Sequence, residues 1–126
     1  MKRESGIFLD CNKRHIGEMY EQLAADFLQE QGLVILKRNY RCRQGEVDLI
    51  AKDGKYTVFV EVKYRRGRSA GDSLAAVNRT KQKVIGQAAL YYLYSHGCSI
   101  DSPCRFDVVG IDGKEIHWVK NAFMYQ

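Results

Sequence analysis

The sequence predicts an α/β domain with a mixed β-sheet flanked by helices. Three observations carry that expectation: two stretches with helical periodicity, a strand-rich hairpin between them, and a second hairpin signal near the end of the chain. A length of 126 residues suits one hydrophobic core. Residues 17–126 are read as one domain and residues 1–16 as a flexible basic arm.

Taken in order, residues 1–15 are polar and basic with little periodicity. Tyr20, Leu23, Ala24, Phe27 and Leu28 follow helical spacing, and Gly32 is a plausible stop, so residues 17–31 read as an amphipathic helix facing a sheet. Residues 33–36 begin a strand that continues through the basic run Lys37, Arg38, Asn39, Tyr40, Arg41, Cys42, Arg43. Four cations around one ring make a phosphate-tracking edge with a stacking platform, or else a charged edge strand that blocks aggregation. Gln44-Gly45 is the turn into the hairpin.

The hairpin, residues 45–64, places strand-forming runs on either side of Asp53-Gly54, a pair suited to a tight type I′ turn. With those two residues as the loop, Lys52 pairs with Lys55, Asp48 lies opposite Phe59 and Glu46 opposite Glu61. Alternation then puts Glu46, Asp48, Ile50, Phe59, Glu61 and Lys63 on one face, and Val47, Leu49, Ala51, Val58, Val60 and Val62 on an apolar face.

The first face concentrates charge. Directly opposed Cβ atoms stand roughly 4.5–5.5 Å apart, so like charges there repel unless neutralised. A divalent cation does this, and Mg²⁺ takes one or two carboxylates with water and phosphate oxygens completing its shell. Asp48 and Glu61 supply such a pair, Glu46 is a further candidate ligand, and Lys63 sits two residues beyond Glu61. Together they could polarise a phosphate and activate a water. The alternative is a solvent-facing sheet surface that merely carries charges.

After Lys63, residues 64–72 read YRRGRSAGD, a loop whose Arg65, Arg66 and Arg68 could clamp a nucleic-acid backbone. Residues 73–77 suggest a short helical turn, and Asn78 or Thr80 a cap for a helix running to about Ser95. Val77, Val84, Ala88 and Tyr91 share one face of it. Lys81 falls on that face, where a lysine snorkels its ammonium outward. Residues 105–111 and 115–119 read as two strands joined by Asp112-Gly113, with Asp107 either a polar edge position, the favoured reading, or a group supporting the acidic cluster from behind.

The spacing of Asp48, twelve residues, then Glu61-Val62-Lys63 resembles the core of the PD-(D/E)XK nuclease superfamily. More closely, GEMYEQLAADFLQEQG, RNYRCRQGEVDLIAKDG, VFVEVKYR, AVNRTKQKV and RFDVV resemble successive blocks of the YraN-like family of predicted endonucleases, distantly related to Holliday junction resolvases. Val47 stands where the superfamily has its name-giving Pro. The resemblance implies a restriction-endonuclease-like core, metal ligation by Asp48 and Glu61, a catalytic Lys63, a role for Glu18 in the first helix, and Lys81 directed at the site. Glu21, one turn on, is the lesser substitute for Glu18.

Composition agrees with an anionic partner: 20 Lys and Arg against 15 Asp and Glu leave a formal charge of +5. No apolar run approaches the roughly 20 residues that span a bilayer, and MKRESGIFLD lacks the core of a secretory signal, so a cytoplasmic protein without membrane association is expected. Cys11, Cys42, Cys98 and Cys104 lack C-x₂-C spacing and do not form a zinc pattern with His15, His96 and His117. The expected activity is a Mg²⁺- or Mn²⁺-dependent endonuclease hydrolysing DNA, with branched or damaged DNA as candidate substrates and a homodimer if the substrate is a four-way junction. The alternative is a nucleic-acid-binding or protein-recruiting module on an idle nuclease fold.

Overall fold

A computed structural model describes residues 5–65, 77–99 and 101–124. Its elements run α1 (Ser5–Glu30), β1 (Val34–Cys42), β2 (Gly45–Asp53), β3 (Tyr56–Arg65), α2 (Arg79–Ser95), β4 (Cys104–Asp112) and β5 (Glu115–Phe123). The strands form one sheet in the order β1-β2-β3-β4-β5. All neighbours are antiparallel except β3 and β4, which run parallel over Thr57–Cys104 to Arg65–Asp112. A parallel pair needs a crossover rather than a hairpin, and the segment containing α2 supplies it. The α/β class with a mixed sheet is the one observed, and it is consistent with a restriction-endonuclease-like core.

Each face of the sheet carries one helix. Ala24, Ala25 and Leu28 of α1 pack with Leu49, Ala51, Val58, Val60, Val62 and Val109. On the other face Ile85, Ala88, Ala89, Tyr92 and Leu93 of α2 pack with Ile50, Phe59, Phe106 and Val108. The central strands are therefore apolar on both sides, which is why VFVEV and FDVV read as nearly continuous hydrophobic runs. Both helices stop in the same way: Leu33 N–H reaches Leu28 O at 3.0 Å and Cys98 N–H reaches Leu93 O at 2.8 Å. Gly32 and Gly97 supply the positive φ that this closure requires, 101° and 72°.

Several elements differ from expectation. α1 begins at Ser5, so the segment read as an arm is helical backbone from that point. Once nucleated, a helix gains a hydrogen bond per added residue and needs no apolar stripe to extend it. β5 continues past Val119 to Phe123, whose ring stacks on Phe106 at 5.1 Å. On α2 the buried stripe is centred on Ile85, Ala88 and Tyr92, while Tyr91 points to solvent. The turn expected at residues 73–77 lies, except for Val77, outside the described residues.

In both hairpins the Asp closes the ladder instead of entering the loop. Asp53 pairs with Tyr56, and Asp112 with Glu115. Gly54 and Gly113 hold φ of 59° and 62°, and the Lys that follows each has no positive φ, so neither turn has the two positive φ values of type I′. The β2–β3 register is thereby two residues from the expected one. A shift of two preserves side-chain parity, so Asp48 and Glu61 still share a face. Val47 departs from its expected face, packing with Ile50 on the α2 side while Leu49 and Ala51 face α1.

Asp107 lies on a central strand, not at an edge, and is 0% exposed. The β4–β5 register breaks between Phe106 and Val108, and the carboxylate fills the break. It accepts Asn121 N–H at 2.9 Å, Trp118 Nε1–H at 2.9 Å and Arg105 Nε–H at 3.0 Å. Arg105 in turn reaches Asp53 at 2.8 Å, tying the two hairpins together. A buried charge is tolerated when its oxygens are filled this way. Asp107→Ala should lower the unfolding free energy by about 3 kcal/mol or more, because the donors lose their acceptor in the interior. Urea denaturation measures this, and a loss below about 1 kcal/mol would contradict the assigned role.

Candidate active site at the parting of two strands

The β2–β3 ladder runs from Asp53–Tyr56 to Leu49–Val60. Asp48 and Glu61 follow directly after that last pair. There the Val62 N–H donates not to a backbone carbonyl but to Asp48 Oδ2, at 2.8 Å. β3 meanwhile continues its pairing with β4 to Arg65, so the two acids sit where β2 and β3 part.

β2 is also irregular on its other side. Between the rungs Arg38–Leu49 and Tyr40–Val47 stand Asn39 and Asp48, and Asn39 has φ of 51°, a left-handed conformation that Asn tolerates better than most residues.

Glu61 is 3% exposed. Its Oε2 lies 3.4 Å from Lys63 Nζ and 3.4 Å from Lys81 Nζ. Lys63 comes from the same strand two residues on. Lys81 comes from the first turn of α2, where the Asn78 side chain caps the helix by accepting the Lys81 N–H at 2.8 Å. Burial pushes the Asp48 carboxyl up from its usual 3.8 to about 8. The charge of Glu61 adds to this, the Val62 N–H opposes it, and Glu21 and a hydrogen bond to Glu61 raise it further. At neutral pH, without a cation, Asp48 holds a proton beside Glu61.

The helix contributes Glu21 rather than Glu18. Glu21 is partly buried and its carboxyl is raised, first by burial, against a hydrogen bond from Asn39, and further by the charges of Glu46, Glu18 and Glu61. Glu18 is exposed. The signal was present in the sequence: at 100° per residue Glu21 falls within the stripe of Ala25 and Leu28, whereas Glu18 falls at its margin. Glu18, Glu21, Glu46, Asn39, Arg14 and Arg41 line a cleft of about 180 Å³.

Among the described residues no three His, Cys, Asp or Glu side chains gather within metal-binding reach. Glu46 is thus not a third ligand beside Asp48 and Glu61. The two-residue register shift puts Asp48 in the place expected for it, and Glu46 pairs with Arg41 at 3.1 Å. Two hard carboxylates, one holding a displaceable proton, nevertheless suit Mg²⁺ or Mn²⁺, which complete their shells with water and phosphate oxygens.

On the basic edge, Lys37, Arg38 and Arg41 are exposed on β1, the outer strand, and Arg43 is exposed just after it. Arg38 is held by Gln22 of α1. Tyr40 is buried and meets Tyr92 edge-on at 5.2 Å, so it offers no free ring for stacking. The side chain of Arg65, and all of Arg66 and Arg68, lie outside the described residues.

A family model described as "Uncharacterised protein family UPF0102" matches residues 20–111. That span includes Asp48, Glu61, Lys63 and Lys81. The chain belongs to family UPF0102. UPF0102 proteins similar to it include one from Janthinobacterium sp. (strain Marseille), 46% identical over 110 residues, covering 87% of this chain and 88% of the relative. One from Lachnoclostridium phytofermentans is 47% identical over 112 residues, covering 89% and 95%. A third, from Aeromonas hydrophila subsp. hydrophila, is 47% identical over 108 residues, covering 85% and 83%. Among the described residues no helix is long and apolar enough to cross a membrane.

The raised Asp48 carboxyl makes stability pH-dependent. The folded state keeps a proton that the unfolded chain releases near 3.8, so in chelator this group's contribution to stability falls as pH rises from about 4 to about 8. Asp48→Asn keeps an acceptor for Val62 N–H and removes the ionisation. Thermal melts in chelator should show the variant gaining on wild type across that window and exceeding it above pH 8. Parallel stability curves would mean that the site does not hold the proton.

Proposed function

We propose that this UPF0102 protein is a Mg²⁺- or Mn²⁺-dependent phosphodiesterase acting on DNA. The observation that carries the reading is the pair of Asp48 and Glu61 at the parting of β2 and β3, with the ammoniums of Lys63 and Lys81 both within 3.4 Å of Glu61 Oε2. The nuclease resemblance of the same residues, and the excess of 20 Lys and Arg over 15 Asp and Glu, support it.

Asp48 and Glu61 would hold the cation, which when bound supplies Lewis-acid polarisation of a phosphoryl oxygen and makes water more acidic. To hold it Asp48 would have to give up its proton. The Lys63 ammonium beside Glu61 would meet charge developing on phosphate, and Lys81 of α2 would approach the same place. Glu21, whose charge is felt by both acids, would help orient a water. Lys37, Arg38 and Arg41 on the β1 edge, with Arg43 just after it, meet the DNA backbone. Symmetric cutting of a four-way junction would further require a homodimer with two such sites.

A panel of labelled junction, flap, nicked and single-stranded DNAs with Mg²⁺ or Mn²⁺ tests the reading. Asp48→Asn and Glu61→Gln should lose both divalent-ion binding and cleavage. Lys63→Ala should keep ion binding by calorimetry yet cut about 10²–10³-fold more slowly, as expected when a donor to transition-state charge is removed. If wild type binds no divalent ion even with DNA present, the hydrolytic reading fails and a non-catalytic DNA-binding module takes its place.

Binding itself should be electrostatic. Contact with about four phosphates predicts that log K falls against log salt with a slope of roughly −3 to −4 on duplex DNA. Anisotropy titrations across a salt series measure it, and a flat profile excludes the basic edge as the contact.

A further inference from the structure

α2 presents to solvent a line of residues that the acid pair does not use. Arg79, Lys83, Gln87 and Tyr91 succeed one another every four residues and Tyr94 extends the line by three, opposite the buried Ile85–Ala88–Tyr92 stripe. Tyr91 is 44% exposed and Tyr94 81%. Beside them runs a cleft of about 320 Å³ between α2 and the β1–β2 turn, lined by Gln44, Gln87, Leu90, Tyr91 and Tyr94. No carboxylate lines it and none occurs in α2. Arg43, exposed, precedes Gln44.

Two features of this face are unfavourable to the isolated protein. A helix N-terminus disfavours cations, yet Arg79 and Lys83 of this face fall within the first five residues of α2. At the other end two phenol rings stand in water. A polyanion with flat apolar faces relieves both, its phosphates meeting the cations and its bases the rings. The amides of Gln44 and Gln87 offer donors and acceptors to base edges but no charge.

We propose that the outer face of α2 is a track for single-stranded DNA, so that the substrates are duplexes or branches that continue into an unpaired strand. This rests on the DNA-acting reading above. At 1.5 Å per residue, Tyr91 and Tyr94 lie about 15–20 Å along the helix from Lys81, the length of about four to six stacked nucleotides at roughly 3.4 Å each. An unpaired tail of that length joins the acid pair to the rings.

Anisotropy titration in chelator, where no hydrolysis occurs, tests the track with a single-stranded dT oligomer, a blunt duplex, and duplexes bearing tails of about two or about eight nucleotides. Wild type should bind the longer tail more tightly than the shorter. The Tyr91→Ala/Tyr94→Ala variant should lose about ten- to hundredfold on the dT oligomer, hold the blunt duplex within about twofold, and lose the tail-length advantage. Tyr91→Phe/Tyr94→Phe should restore both, since it keeps the rings. Both side chains are in solvent, so melting midpoints should stay at the wild-type value. The proposal is overturned if the alanine variant binds the dT oligomer as wild type does, including the case in which sedimentation shows that it has turned a dimer into a monomer. A ring-dependent tail advantage with no cleavage of any substrate in Mg²⁺ or Mn²⁺ would sustain the track while the hydrolytic reading fails. Cleavage with no tail effect in either protein would sustain hydrolysis and overturn the track.

Discussion

Two carboxyl groups side by side where two strands part, one of them 3% exposed, are the constraint around which this molecule is arranged. In so dry an environment two neighbouring full charges are not tolerated. The protein answers with three devices. Asp48 keeps a proton at neutral pH, the Val62 N–H replaces a ladder bond to hold one of its oxygens, and two ammoniums flank Glu61. Each device costs regularity elsewhere: β2 leaves β3 early, Asn39 takes a left-handed φ, and Lys81 occupies a helix N-terminus that would prefer an acid.

Asp107 provides the internal control. It is as deeply buried and as polar, but its oxygens are filled by the indole of Trp118, the guanidinium of Arg105 and the backbone of Asn121. Nothing is left for a ligand to do there, and the network joins Asp53 of one hairpin to β5 of the other. Asp48 and Glu61 are satisfied differently, by a proton and by mobile ammoniums that a cation or a phosphate can displace. The difference between a structural and a reactive buried acid lies in how its partners are held, not in burial itself.

Much of this was legible before any coordinates. Parity along a strand survives a register error of two, so Asp48, Glu61 and Lys63 were placed on one face although the turn was assigned one residue too early. The error arose because Asp-Gly suggests both as loop residues, whereas Asp53 and Asp112 close ladders and only the glycines take positive φ. Tyr40 was misread because four neighbouring cations suggest an exposed strand, while the edge-on partner that buries it, Tyr92, lies more than fifty residues away. Glu21 was passed over in favour of Glu18, although helical phase alone favours Glu21. Asp107 was assigned to an edge because topology, not local sequence, decides which strand is central.

α2 explains why the site needs the whole fold and not the hairpin alone. A hairpin by itself could bring Asp48, Glu61 and Lys63 to one face, but Asp48 would be solvated there and would ionise in the ordinary range. In the fold burial raises it, and because β3 and β4 are parallel the connecting segment must return across the sheet. The crossover delivers the first turn of the helix to the strand end, where Asn78 fixes its start and Lys81 reaches Glu61. Gly45 completes the fit: a Cβ there would stand 2.3 Å from the Val84 Cγ1, so any side chain would push α2 away from the acids. The close approach of helix to hairpin at that glycine is what converts two facing carboxyls into a site.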